Sequence, residues 1–315
     1  MPGPLAIALI EDRQWDELVR LLRGPEGPAM ASERGSDGKL PLHLAAWHRA
    51  PVETIRALLD VYPQGAQTMN NEGNLPLHLA AGYDATVEVV RALLDAHPQG
   101  VQTKNDGGFL PLHEAARWHA PLEVVRALLD AYPQGAQTTN NRGKLALHLA
   151  AAHLTPLEVV QALLDAYPQG AQTPDNRGFL PLHTALAAGY YASADVVRAL
   201  LDVYPQGAQT PDNDGDLPLD YDAVEEYFSP KVPVMLALAQ AGHPPSRPWT
   251  PETCAILRGI DLDPIPEARR PLVRALIDAH MSRVRTLLLA LPRLGLPSAL
   301  TPLLIGAVYT TDFLC

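Results

Sequence analysis

Four residues, Leu-Pro-Leu-His, recur along this chain at Leu40–His43, Leu75–His78, Leu110–His113 and Leu180–His183. A variant stands at Leu145-Ala146-Leu147-His148 and a degraded copy at Leu217-Pro218-Leu219-Asp220. The first five copies are 35 residues apart and the last step is 37. A second marker keeps the same phase: Tyr62-Pro63-Gln64-Gly65, His97–Gly100, Tyr132–Gly135, Tyr167–Gly170 and Tyr204–Gly207. A fixed period of this size restricts the chain to stacked supersecondary units, and outranks every other signal in it. No single core need then hold all 315 residues, because each unit buries its apolar face against the next.

Within a unit the pattern reads as two helices. In the second copy, Asn70-Asn71-Glu72-Gly73 is a turn signal, since Asn tolerates and Gly favours positive φ. Pro76 suits the first helical position, where its missing N–H costs nothing. His78-Leu79-Ala80-Ala81 continues a short helix whose alanines permit close approach of a neighbour, and Gly82–Thr86 is a turn. Val87, Val90, Leu93 and Leu94 form the predicted stripe of a second helix, with Glu88, Arg91 and Asp95 facing water. Pro98 stops that helix and Gly100 is expected to let the chain reverse.

Ahead of the array, residues 4–23 read as an irregular helix pair. Leu5, Ile7 and Ile10 form one predicted apolar strip; Trp15, Leu18, Leu21 and Leu22 form the next. Gly24-Pro25 ends the pair, and 26–39 reads as a polar loop. After it, a unit from Leu217 to about Pro245 loses the His and much of the pattern. Its second helix is predicted over Val232–Ala241. Beyond Arg247 the composition shifts, and three apolar helical pieces are expected, the last opening at Pro297. The predicted organisation is a capping repeat over 1–39, five regular repeats and one degenerate repeat over 40–248, and a helical cap over 249–315.

These residues make the chain similar to ankyrin-repeat proteins over roughly residues 4–248. The family's Thr-Pro-Leu-His turn corresponds to the Leu-Pro-Leu-His copies, and its preceding Gly to Gly38, Gly73, Gly108, Gly143, Gly178 and Gly215. The resemblance implies an all-α solenoid of stacked helix-turn-helix repeats, short projecting hairpins, and protein binding on the concave side. The chain departs from the family in its period of 35 rather than 33, with additions between the helices and before the hairpin. Leu40, Leu75, Leu110, Leu145 and Leu180 replace the Thr that would cap the first helix, so that cap is expected to be unfilled. A missing cap typically costs ~1 kcal/mol.

The formal charge of −11 argues against nucleic-acid binding, and residues 40–248 carry most of it, with 22 acidic against 12 basic side chains. Cys254 and Cys315 lie outside the array, no Asn-x-Ser/Thr sequon occurs, and no signal peptide is read. A reducing, intracellular and cytoplasmic setting is therefore expected, with the nucleus left open. The longest apolar stretch, Leu294–Tyr309, is short and contains Pro297 and Pro302, so no membrane span is expected.

No catalytic constellation, cofactor motif, small-molecule site or metal site is predicted. A phosphate-cradling loop, H-E-x-x-H, C-x-x-C and G-x-S-x-G are all missing from the sequence. The histidines recur one per repeat, too far apart to share a metal; each is expected to hydrogen-bond backbone across its turn. The Tyr-Pro tyrosines are expected to pack between repeats.

Binding is read from what varies between copies. One hairpin-tip position holds Asp37, Glu72, Gly107, Arg142, Arg177 and Asp214 in turn. Two residues on stand Lys39, Asn74, Phe109, Lys144, Phe179 and Asp216. Trp47, His48, Tyr83, Arg117, Trp118, His119, His153, Tyr190 and Tyr191 lie near the ends of the first helices. The expected partner-binding set is Trp47, His48, Tyr83, Phe109, Arg117, Trp118, Arg142, Arg177 and Phe179, with Trp47, Tyr83 and Trp118 forming an aromatic row. Aromatics and Arg are the usual anchors of protein interfaces. The partner is expected to be a protein that the sequence does not name. An alternative partner is a ubiquitin-ligase adaptor: Leu296, Pro297, Leu300 and Leu303 resemble the opening of an F-box, with Ala299 where an acidic residue is usual.

Overall fold

The computed structural model describes residues 5–152, 155–188, 193–218 and 274. His153, Tyr190 and Tyr191, the degenerate unit beyond Pro218, both cysteines and the segment carrying Leu296, Pro297, Leu300 and Leu303 lie outside the described residues. Among the described residues the secondary structure is entirely helical, in two compact units, Met1–Asn176 and Arg177–Cys315.

In the first unit the helices are α1 (Leu5–Glu11), α2 (Trp15–Leu22), α3 (Gly27–Ser32), α4 (Pro41–Trp47), α5 (Val52–Val61), α6 (Pro76–Gly82), α7 (Val87–Ala96), α8 (Pro111–Arg117), α9 (Leu122–Ala131), α10 (Ala146–Ala151) and α11 (Leu157–Ala166). The even-numbered first helices of the repeats pack in series, α4 on α6, α6 on α8 and α8 on α10. The longer second helices form a parallel row, α5 on α7, α7 on α9 and α9 on α11. At the N-terminal end α1 packs on α4 and α2 on α5, which continues both rows. The second unit contains α12 (Pro181–Ala187) packed on α13 (Ala194–Val203).

The anticipated start signal holds in each repeat: α4, α6, α8 and α12 open on their proline, and α10 on Ala146 in the variant copy. The paired alanines of the first helices, such as Ala80-Ala81 and Ala115-Ala116, are wholly buried. Their small side chains let adjacent first helices approach closely, and the flanking leucines fill what remains. Each fully buried Leu or Val contributes roughly 1.5–3 kcal/mol of transfer free energy, which one repeat alone could not collect.

The histidine of each motif occupies the third position of its helix and is buried. Its Nδ1 accepts the backbone N–H at the start of the same helix, at 3.1 Å in all five copies: Leu40 to His43, Leu75 to His78, Leu110 to His113, Leu145 to His148 and Leu180 to His183. A backbone N–H can only donate, so Nδ1 carries no proton and the hydrogen sits on Nε2. That Nε2 donates to a carbonyl of the next hairpin, from His43 to Asn74 at 3.0 Å, His78 to Phe109 at 3.0 Å and His113 to Lys144 at 3.1 Å. The expected bond across the turn is present, and a second one ties each of these three repeats to its successor. The leucines supply no cap, as their apolar side chains dictate, but the histidine satisfies the helix's leading N–H in its place.

Consecutive hairpin tips are also joined through the backbone. Asn71 N–H donates to the Asp37 carbonyl, Asp106 to Glu72, Asn141 to Gly107 and Asn176 to Arg142. Within a tip, Asn70 Oδ1 accepts from Glu72 N and Asn74 N, and Asn105 and Asn140 repeat the arrangement.

Several local expectations need correction. Residues 27–32 are helical rather than loop, because Gly27, Met30 and Ala31 bury against the first unit. In α1 the buried face is Ala6, Leu9 and Ile10, while Leu5 is 53% exposed. In α7 it is Val89, Val90 and Leu93; Val87 sits only half-buried at the helix start. Gly100 does not reverse the chain through positive φ. It lies inside a 3₁₀ turn, Pro98–Gln102, where a Cβ would come within 3.0 Å of the His97 ring and 3.3 Å of Leu75. At the equivalent turn, a Cβ on Gly65 would meet the Tyr62 ring at 3.2 Å and Leu42 at 3.3 Å. This 3₁₀ segment recurs in every copy.

Candidate functional site

In the first unit a groove of about 520 Å³ lies between the hairpin tips and the first helices. Its wall is the aromatic row. The Trp47 and Tyr83 ring centroids are 5.6 Å apart at 59°, and Tyr83 and Trp118 are 6.0 Å apart and stacked at 23°. The row arises at the ends of the first helices: Tyr83 and Trp118 hold the same position of successive repeats, 35 residues apart, and Trp47 stands one position earlier in its copy, as the last residue of α4. Trp118 also lies over Gly82, whose missing side chain makes room: a Cβ there would stand 3.1 Å from the indole. The tryptophans therefore pack between repeats and still face water, Trp47 37% and Trp118 42% exposed.

Cations sit on this wall. Lys39 Nζ is 4.3 Å above the Trp47 ring and 2.8 Å from Asp37 Oδ2. The Arg117 guanidinium lies 5.0 Å over Trp118 and 5.6 Å over Phe109. Phe109 meets His113 edge-on, and the His48 ring tilts against Trp47 with centroids 5.6 Å apart.

The floor centres on Glu114, which sequence reasoning missed. Its Oε2 accepts from Trp118 Nε1 at 3.2 Å and its Oε1 from Asn105 Nδ2 at 3.3 Å. Asn105 also donates to Asn74 Oδ1 at 2.8 Å, and Asn74 donates to Glu72 Oε2 at 3.0 Å. Burial holds the Glu114 carboxyl above the usual carboxylate range and the nearby Glu72 charge pushes the same way, against the pull of Arg117, Trp118 and Asn105. A signal for it was available: the residue after the motif histidine is Leu44, Leu79, Glu114, Leu149 and Thr184 in turn, so only the third copy puts a charge there. The equivalents of Asn105, Asn70 and Asn140, have Nδ2 groups with no acceptor among the described residues.

Of the nine expected contact residues, the groove gathers Trp47, Tyr83, Phe109, Arg117 and Trp118, with His48 beside it. Arg142 is exposed on the next tip and does not line it. Arg177 and Phe179 belong to the second unit, where the guanidinium lies 4.2 Å over the ring. Phe179 is 5% exposed and stacked on His183, so it offers little surface. Among the described residues no group of His, Cys, Asp and Glu is placed to hold a metal, and no helix is long and apolar enough to cross a membrane.

A family model described as "Ankyrin repeats (3 copies)" matches residues 42–141, 86–172 and 112–214. Together these matches span more than half of the chain. Among solved structures, the chain is similar to the crystal structure of the ankyrin repeat domain of Bcl-3, described as a unique member of the IkappaB protein family. The TM-score is 0.52 at 22% identity, covering 71% of this chain and 96% of that one, a likeness of fold. No curated protein sequence matches the chain.

Proposed function

The chain belongs to the ankyrin-repeat family, and from that premise we propose that it is a non-enzymatic interaction scaffold that takes a partner protein in the groove of its first unit. Repeats of this kind are generally protein–protein interaction modules. The observation that carries the reading is the half-exposed Trp47–Tyr83–Trp118 row, a rigid aromatic surface of the type that supplies interface anchors. Its rings are already held by their neighbours, so little side-chain freedom is lost when a partner covers them. A non-catalytic role also fits the histidines. Those at His43, His78 and His113 hold both ring nitrogens in backbone hydrogen bonds, which leaves no nitrogen to act as a base.

The test is capture of proteins from the source cells on the full chain, compared with Trp47→Ala and Trp118→Ala. Each substitution should weaken a common partner by more than about 2 kcal/mol. Because both rings are substantially exposed, the melting transition should fall by no more than about 1 kcal/mol equivalent. Partners retained in full by both variants would count against the groove. So would a collapse of the fold, since it would assign the tryptophans to packing alone.

A further inference from the structure

We propose that the occupant of this groove is a basic peptide segment of the partner, with one arginine or lysine lying across the Tyr83 and Trp118 rings and its charge set against Glu114 and Glu72. The inference rests on the reading of the groove as a protein-binding site and adds the chemistry of what enters it. Three carboxylates line the groove: Glu72, Asp106 and Glu114. Two cations line it, but Lys39 is held by Asp37 at 2.8 Å, which leaves Arg117 alone against the three.

The aromatic wall favours the same occupant, because ring faces carry the negative part of the quadrupole and attract cations. The protein's own side chains display the geometry, with Lys39 over Trp47 and Arg117 over Trp118 and Phe109. Tyr83, between the two tryptophans, has no such cation over it among the described residues of this unit. Glu114 deepens the preference. It replaces an apolar residue of the repeat, its oxygens are held by Trp118 and Asn105, and it lines the groove together with Glu72. Burial disfavours the Glu114 charge and the Glu72 carboxylate adds to this, so a cation held beside Glu114 offsets the penalty. An acidic segment would instead meet three like charges.

The experiment is selection of a random dodecamer peptide library on the full chain. Anisotropy titrations of the enriched peptides then follow against the wild type, Glu114→Gln, Glu72→Gln, Trp118→Ala and, on the opposite helix row, Arg126→Ala. The enriched peptides should share an arginine or lysine. They should bind Glu114→Gln roughly tenfold more weakly, as expected for loss of a charged hydrogen bond, and leave Arg126→Ala unaffected. Replacing the shared basic residue by alanine should cost a similar factor, and the two losses should not add. Glu72→Gln, on an exposed tip, gives the same direction should Glu114→Gln fail to fold. Peptides that need Trp118 but carry no basic residue, or bind both Gln variants undiminished, would overturn this inference and leave the groove as a protein site. Enriched peptides indifferent to Trp118→Ala, or no enrichment, would overturn both.

Discussion

Acidification from pH 7 to pH 4 should destabilise the first unit by up to roughly 3 kcal/mol for each of His43, His78 and His113. Burial lowers the pKa of each imidazole from 6.5 to about 4. The geometry explains the direction, since a second ring proton would sit on Nδ1, pointing at the backbone N–H of Leu40, Leu75 or Leu110. A depressed histidine pKa means that the unfolded chain binds the proton first. Stability is therefore full above about pH 6.5 and declines as pH falls toward 4, most steeply where the unfolded histidines are charged and the native ones are not. Glu114, whose pKa is raised, acts in the opposite sense. It favours the fold at low pH and disfavours it as pH rises through the carboxylate range, so it offsets part of the loss near the acid end. Urea midpoints measured every half pH unit provide the check. A midpoint unchanged between pH 7 and pH 5 would contradict the histidine arrangement.

Gly108→Ala should destabilise the same unit by about 2–4 kcal/mol, through strain at positive φ and a steric clash together. Gly108 has φ +75°, and a Cβ built there would stand 2.3 Å from Asn141 Oδ1 and 2.6 Å from the Asn141 backbone nitrogen. That nitrogen donates to Gly107, one of the bonds joining successive hairpin tips, so the clash cannot be relieved by a side-chain rotation. Gly215 supplies the comparison: its φ is +92°, but nothing lies within 4 Å among the described residues. Gly215→Ala should show backbone strain alone, about 1 kcal/mol. Equal losses in the two variants, by denaturant titration, would contradict tip-to-tip packing.

The parts of this fold that were legible in the sequence are those that stacking forces to repeat. Pro76 at a helix start, Gly73 before it and the buried His78 recur because every interface demands them. What repeats without a known periodicity was harder to read. Pro98–Gln102 contains a helix stop and a glycine, which signal a turn, yet the segment closes into a 3₁₀ helix with Gly100 chosen for space against Leu75. Residues 27–32 have no amphipathic period long enough to detect, and become helical through burial of Met30 and Ala31.

At the groove, the Tyr83–Trp118 pair follows from register, since residues at equivalent repeat positions must be neighbours, while Trp47, one position earlier in its copy, joins the row from the end of α4. Glu114 did not, because a carboxylate on a short helix reads as a solvated face unless the copies are compared column by column. Arg142 has the residue type of an interface anchor and stands at a variable tip, but that tip belongs to the next repeat and does not line the groove.

The groove itself is tested most directly by site-specific photocrosslinking in the source cells. A benzophenone amino acid at Tyr83 puts an aromatic probe in the middle of the row, and the same probe at Arg126 reports on the opposite helix row. A discrete protein adduct is expected from position 83 that disappears on Trp118→Ala, with none of that mass from position 126. The same adduct from both positions, or from position 126 alone, would contradict it.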